Sequence, residues 1–297
     1  MKAEVTLSRI AIKNILFATD FETLAGRALP FALALIDRYG AKLYLTHVVP
    51  PKAYAFAHPN LMECILRDEK DYASYKLNQI LASVRRPGRA CEILVGEGEV
   101  APALAALAHA RDADLLIVGT QNRGGLGKLV LGSVAEQTIR EAPCPVMTIG
   151  PLVSADPWSG FRSIVCATDF SSASARGVEY ALSFASEERA HLTLIHVIEG
   201  ILRQAPHLAL KLMEGRLQDS IRQGMELEYE PEVIVETGPV ADRILETAKD
   251  LSADLIVMGV RGKRSSAQRA SHFGSIAHKV VSLAPCPVLT VGESATA

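Results

Sequence analysis

Four segments of this chain occur twice in the same order, and that duplication limits the fold more than any other feature. I-K-N-I-L-F-A-T-D-F from Ile12 to Phe21 matches F-R-S-I-V-C-A-T-D-F from Phe161 to Phe170, and K-L-Y-L-T-H-V-V from Lys42 matches H-L-T-L-I-H-V-I from His191. Further on, A-D-L-L-I-V-G from Ala113 matches A-D-L-I-V-M-G from Ala253, and A-P-C-P-V-M-T-I-G from Ala142 matches A-P-C-P-V-L-T-V-G from Ala284. A period of roughly 140 residues is too long for a solenoid unit and fits a domain duplicated in tandem. The 297 residues suffice for two domains, each with its own core. Asp156-Pro157 marks a linker at 151–160, which leaves 1–150 and 161–297 as the domains.

Each copy alternates strand and helix signals. In the first, Ile12 to Thr19 reads as a buried strand, and Leu24, Ala28, Phe31 and Leu35 mark one helical face ended by Gly40. Pro30 lies inside that pattern and is expected to kink the helix or reset its start. Lys42 to Val49 is the second strand, Leu61 to Val84 an exposed amphipathic helix, Cys91 to Val95 the third strand and Val100 to Ala110 a helix with Pro102 in its first turn. Asp114 to Val118 and Val146 to Ile149 are the fourth and fifth strands.

The second copy gives strands at Ser163 to Thr168, Leu192 to Ile198 and Glu232 to Glu236, with helices from Ser171, over about 201–223 and from Val240 to Leu251. Such alternation implies right-handed crossovers and an α/β fold, two tandem doubly wound domains with a parallel sheet in each and helices on both faces. The fifth strands, Val146 to Ile149 and Val288 to Val291, are apolar and would be exposed edges unless paired. They are expected to meet within the chain across a pseudo-two-fold axis; further association into a homodimer stays open.

Composition excludes some partners. A net charge of -2 gives no bulk attraction to nucleic acid or anionic membrane, so any anion site must be local. No apolar run reaches the roughly 18 residues of a membrane span, and Met1 to Arg9 lacks a signal-peptide core; a cytoplasmic protein is the expectation. Five cysteines, odd in number and without metal spacing, read as reduced, mostly core residues.

The chemistry-bearing stretches follow the fourth strands. From Leu115 the chain reads L-L-I-V-G-T-Q-N-R-G-G-L-G-K-L-V-L-G-S, a buried strand, a glycine-rich loop and then a helix for which Ser133 is the expected N-cap. Leu255 to Ser275 repeats the plan. Loop amides and a helix N-terminus can cradle a phosphate, although a plain connection uses glycines too. Asp20 and Asp169 lie just past the first strands; each could accept from a ribose hydroxyl or base amine, or simply cap the following helix. His47 and His196, at second-strand ends, read as hydrogen-bonded core residues without a catalytic partner.

With A-T-D at the first strand end, H-V in the second strand and Gly119-x2-Asn122-x9-Gly132-Ser133, the sequence resembles the universal stress protein family in its tandem two-domain form. Asn122 departs from the family's glycine; asparagine tolerates the left-handed region better than most residues. In the second copy, Gly259-x2-Gly262-x11-Gly274-Ser275 keeps its glycines but is two residues longer, which re-aims the amides. The resemblance implies a five-stranded sheet of order 3-2-1-4-5 in each domain and an ATP-binding regulatory protein of the stress response. It assigns Thr19, Asp20, Val48 and Val118 to adenosine, and Gly119, Asn122, Gly132, Ser133 and Val134 to phosphates. The second-copy equivalents are Thr168, Asp169, Val197, Met258, Gly259, Gly262, Gly274, Ser275 and Ile276.

Any Mg2+ or Mn2+ would ride on the phosphates, since no dedicated metal cage is evident. Neither a P-loop nor a general-base constellation is present, so hydrolysis or autophosphorylation is expected to be slow or absent. The competing reading is an adaptor without nucleotide, acting on an unidentified protein partner. The first copy is expected to bind ATP better than the second.

Overall fold

The computed structural model describes residues 10–50, 59–120, 131–154, 160–199, 211, 215–216, 227–260 and 274–293, with backbone alone at 23–25 and 59–61. The first half runs β1 (Asn14–Ala18), α1 (Thr23–Tyr39), β2 (Lys42–Val49), α2 (Pro59–Val84), β3 (Cys91–Glu97), α3 (Val100–Ala110), β4 (Leu115–Gly119), α4 (Ser133–Glu141) and β5 (Val146–Ile149). The second runs β6 (Ser163–Ala167), α5 (Ser172–Glu188), β7 (His191–Ile198), β8 (Glu232–Thr237), α6 (Val240–Asp250), β9 (Leu255–Gly259), α7 (Ser275–Leu283) and β10 (Val288–Val291). The helix expected over about 201–223 falls outside the described residues except at helical Lys211, Gly215 and Arg216.

All ten strands form one sheet in the order β3-β2-β1-β4-β5-β10-β9-β6-β7-β8, so each half carries the expected 3-2-1-4-5 order. Pairing is parallel within each half and antiparallel only at the centre, where β10 meets β5 with Val288 opposite Thr148 and Thr290 opposite Val146. The fifth strands therefore cover one another's edges, as their apolar composition requires.

Central strands such as Leu115–Gly119 are apolar at consecutive positions because helices cover both faces. Ile15, Phe17, Leu115 and Ile117 face the layer with Phe31 and Leu35 of α1 and Leu77 of α2; the layer continues into the second half through Val178 and Leu182 of α5. Leu16, Leu116 and Val118 face the other layer, with Leu104 of α3, Ile139 of α4, Ile244 of α6 and Val280 of α7.

One expectation narrows and one changes. α1 passes through Pro30 from Thr23 to Tyr39, with no new start there. Pro30 is exposed, and so is Gly26, whose carbonyl loses its helical donor to the missing N–H. The helix does end at Gly40, left-handed at φ 64°, whose N–H bonds the Ile36 carbonyl. Ser133 is the first helical residue rather than the N-cap; the cap is Gly132, extended at φ -67° and ψ 146°, whose carbonyl takes the first helical bond from Glu136 N–H. Among the five cysteines, Cys166 and Cys286 are buried, Cys91 and Cys144 pack against the core and Cys64 is exposed on α2.

Candidate functional site

β1 and β4 are neighbours, with Ala18 beside Val118. From β1 the chain turns into α1 on one face, whereas β4 is reached through α3 on the other, so the winding direction reverses between them. A crevice opens beyond the carboxyl ends of strands at such a point.

Thr19 continues the ladder, its N–H bonding the Thr46 carbonyl at 2.9 Å. Its hydroxyl oxygen accepts from Phe21 N–H at 3.0 Å, and Asp20 Oδ1 accepts from Glu22 N–H at 3.0 Å. Asp20 thus closes an Asx turn, while Glu22 holds the N-cap position that the alternative reading gave to the aspartate. Phe21 is left-handed, at φ 65°. Its ring stacks on His47 at 4.4 Å, and His47 Nδ1 donates to the Thr19 carbonyl at 2.7 Å.

The far wall is apolar. Ala18, Val48 and Val118 pack in one cluster with Leu131 and Ala135. Leu131 is 4% exposed and anchors the chain as it returns to Gly132, Ser133 and Val134 at the start of α4. Ser133 and Val134 are exposed, and the N-cap residue, Gly132, brings no side chain of its own to the first amides of this helix. Gly119 ends β4 and Thr120 N–H bonds the Ile149 carbonyl at 2.9 Å; Asn122 lies outside the described residues.

The second half repeats the plan with changes. Thr168, Asp169 and Phe170 form the same turn, with Phe170 at φ 62° and His196 Nδ1 donating to the Thr168 carbonyl at 2.8 Å. Ser171 is a working N-cap, accepting from Ser174 N–H, so Asp169 is again not the cap. The Thr168 hydroxyl donates to Ser174 Oγ at 3.1 Å. Burial pushes the Asp169 carboxyl up, but donation from the Ser171 hydroxyl and N–H and from the Ser174 hydroxyl outweighs it and leaves its pKa below the usual carboxylate value. The guanidinium of Arg216 lies over the Phe170 ring at 4.0 Å.

Val197 and Met258 line the apolar wall as Val48 and Val118 do, with Ile276 packed against it. Gly274 caps α7, Ser275 opens it and Gly262 lies outside the described residues. The two described glycines differ in kind. A Cβ on Gly259 would sit 2.3 Å from Ser174 N and 2.5 Å from Ala173 C, so the start of α5 demands this glycine. A Cβ on Gly274 would meet nothing within 4 Å among the described residues, and its φ of -54° suits any amino acid.

Reading the sequence alone missed Leu131, Ser174 and the histidine-phenylalanine stack. Leu131 carried a signal, as the last residue of the apolar run Leu129-Val130-Leu131 directly before Gly-Ser; the stack carried none, because Phe21 and His47 meet only through the β1–β2 pairing.

The arrangement brings an acceptor carboxylate, an apolar wall and the start of a helix to one strand end. Among the described residues no three His, Cys, Asp or Glu side chains gather to hold a metal ion. Burial pushes the Cys166 and Cys286 thiols up to about 12, so neither is a nucleophile at neutral pH. No described helix is long and apolar enough to cross a membrane.

Comparison with known proteins gives a consistent picture. The model of the family described as "Universal stress protein family" matches residues 11–150 and again 160–292. A universal stress protein of Mycobacterium tuberculosis is 26% identical over 263 residues, covering 86% of this chain and 88% of its own length. A single-domain-sized relative from Thermus aquaticus is 31% identical over 137 residues, 46% of this chain and 98% of its own. Among solved structures, a universal stress protein from Archaeoglobus fulgidus superposes with a TM-score of 0.72 at 20% identity, covering 95% of this chain and 98% of its own. At that identity the superposition speaks for the fold alone.

Proposed function

The chain belongs to the universal stress protein family, and from that premise we propose that it is a cytoplasmic regulatory protein of the stress response that binds an adenine nucleotide, ATP above all, and hydrolyses it slowly or not at all. In the first half the Asp20 carboxylate accepts from a ribose hydroxyl, Thr19, Val48 and Val118 enclose the adenosine, and Gly119, Asn122, Gly132, Ser133 and Val134 surround the phosphates. In the second half Thr168, Asp169, Val197, Met258, Gly259, Gly262, Gly274, Ser275 and Ile276 stand at the corresponding positions.

The observation that carries this reading is the meeting of three unlike features at the β1/β4 reversal: an Asx-turn aspartate, an apolar wall and a helix N-terminus whose N-cap is a glycine. Each alone is common. Together they match a ligand with a hydroxylated, an aromatic and an anionic part. A helix N-terminus contributes about 0.3–1 kcal/mol toward an exposed anion, and a hydrogen bond to a charged group about 1.5–3 kcal/mol. Mg2+ or Mn2+, where required, would be held by the phosphates, and when bound it would neutralise their charge.

An adaptor role without nucleotide is favoured, in the second half, by the network that engages Thr168 and Asp169 with Ser171 and Ser174. Calorimetry of nucleotide-stripped protein decides between the readings. Mg-ATP should give saturable heat that Gly132→Leu removes from the first half. Absence of heat and of any thermal shift at millimolar Mg-ATP would leave the adaptor reading.

A further inference from the structure

We propose that His47 and His196 are positioning residues, each setting from the second strand of its half where the aspartate after the first strand stands. The inference rests on the nucleotide reading only for its binding consequence. A carbonyl oxygen can only accept, so the contact of His47 Nδ1 with the Thr19 carbonyl at 2.7 Å places the proton on Nδ1 and makes the ring a donor to the residue immediately before Asp20. A face of the same ring stacks on the Phe21 side chain at 4.4 Å, and Phe21 immediately follows Asp20. One imidazole therefore grips the backbone on one side of the aspartate and the side chain on the other.

The grip has something to hold. Phe21 at φ 65° occupies a left-handed conformation that costs a non-glycine residue about 1–2 kcal/mol. Two further contacts share that load, Phe21 N–H to Thr19 Oγ and Glu22 N–H to Asp20 Oδ1, both at 3.0 Å. The second bond orients the Asp20 carboxylate itself. Without the ring, β2 keeps the Thr46 carbonyl's bond to Thr19 N–H but loses the His47 side-chain donor to the turn, and relaxation of Phe21 to negative φ would swing Asp20 away from the crevice.

The second half reproduces the set: His196 to the Thr168 carbonyl at 2.8 Å, Phe170 at 4.7 Å from the ring and at φ 62°, Phe170 N–H to Thr168 Oγ at 3.1 Å. It does so although the next residue differs, Glu22 in one half and Ser171 in the other, and although only α5 has a side-chain cap. The common geometry is thus independent of how the following helix begins.

The test uses the full chain carrying Gly274→Leu, so that the second-half loop is blocked, and compares His47→Leu with His47→Asn, whose amide nitrogen stands close to where Nδ1 did. Mg-ATP affinity is read by calorimetry, and exchange of the Phe21 and Glu22 amide protons by NMR. His47→Leu should weaken Mg-ATP roughly tenfold or more, as expected when a preorganised group is released, and should speed exchange at both amides while strand amides stay protected. His47→Asn should remain within about threefold of its parent on the same ground. Unchanged affinity in His47→Leu overturns the proposal, and so does equal weakening by both variants. If the parent takes no Mg-ATP, the nucleotide reading falls separately and exchange alone decides: acceleration in His47→Leu but not in His47→Asn upholds the positioning role, and equal exchange in all three overturns it.

Discussion

Asp20 and Asp169 occupy matched places on the backbone yet face different donors. Ser171 and Ser174 stand beside Asp169; the corresponding residues in the first half are Glu22 and Ala25, and neither side chain can donate a hydrogen bond. In the second half Ser171 N–H donates to Asp169 Oδ1 at 3.0 Å and the Ser171 and Ser174 hydroxyls bond one another beside it, hydroxyls that the first-half residues at those positions do not supply. The pKa direction makes this testable. Burial raises the Asp169 carboxyl, but the serine donors outweigh it, so its folded pKa lies below its unfolded value. A depressed carboxylate contributes stability that is complete above the unfolded pKa of about 3.9 and is lost as pH falls through the folded value. Ser174→Ala should therefore move the Asp169 midpoint upward in a carboxyl-carbon NMR titration. An unmoved or lowered midpoint would show that the serine does not hold the charge.

At the scale of elements, the two described glycines of the second loop divide the work between folding and space. Gly259 is required by the start of α5, which presses on it at 2.3 Å from where a Cβ would be. Gly274 has no described neighbour within 4 Å of where a Cβ would be, and its φ of -54° suits any residue. Gly259→Ala should cost about 1–3 kcal/mol, the usual range for overpacking, and lower the urea midpoint; Gly274→Ala should cost under about 1 kcal/mol, the scale of an N-cap change. Equal midpoints would remove the distinction. The sequence could not have separated these glycines, because Ser174 and Gly259 are 85 positions apart in the chain and meet only through the packing of α5 on β9. What it did show was the periodic part. Leu115–Gly119 and Leu255–Gly259 read as buried strands because both faces are covered, and Gly-Ser marked the starts of α4 and α7 to within one residue. Pro30 could be placed inside α1 but not weighed, because the exposure of the Gly26 carbonyl that it leaves without a helical donor is a tertiary property.

At the scale of the whole molecule the halves are sealed rather than strung. Thr148 donates to the Val288 carbonyl at 3.2 Å and Thr290 to the Val146 carbonyl at 3.0 Å, a reciprocal pair across the central strands. Beside it, Glu188, 5% exposed in its side chain, accepts from Arg38 and from the Tyr39 hydroxyl, both at 3.1 Å. The strand pairing was legible, since two short apolar strands needed cover. The Glu188 clamp was not, because nothing in a run such as S-E-E-R-A says which glutamate turns inward. Since β5 and β10 are antiparallel, the carboxyl ends of the two sets of parallel strands point in opposite directions. The two β-strand ends that carry Asp20 and Asp169 therefore face opposite ways, and bound nucleotides are to be counted separately for each half. Native mass spectrometry of the purified chain titrated with Mg-ATP counts them directly. The account predicts a first adduct of one nucleotide per chain that disappears in Gly132→Leu; a chain that stays bare at millimolar Mg-ATP, or a first adduct untouched by that substitution, would contradict it.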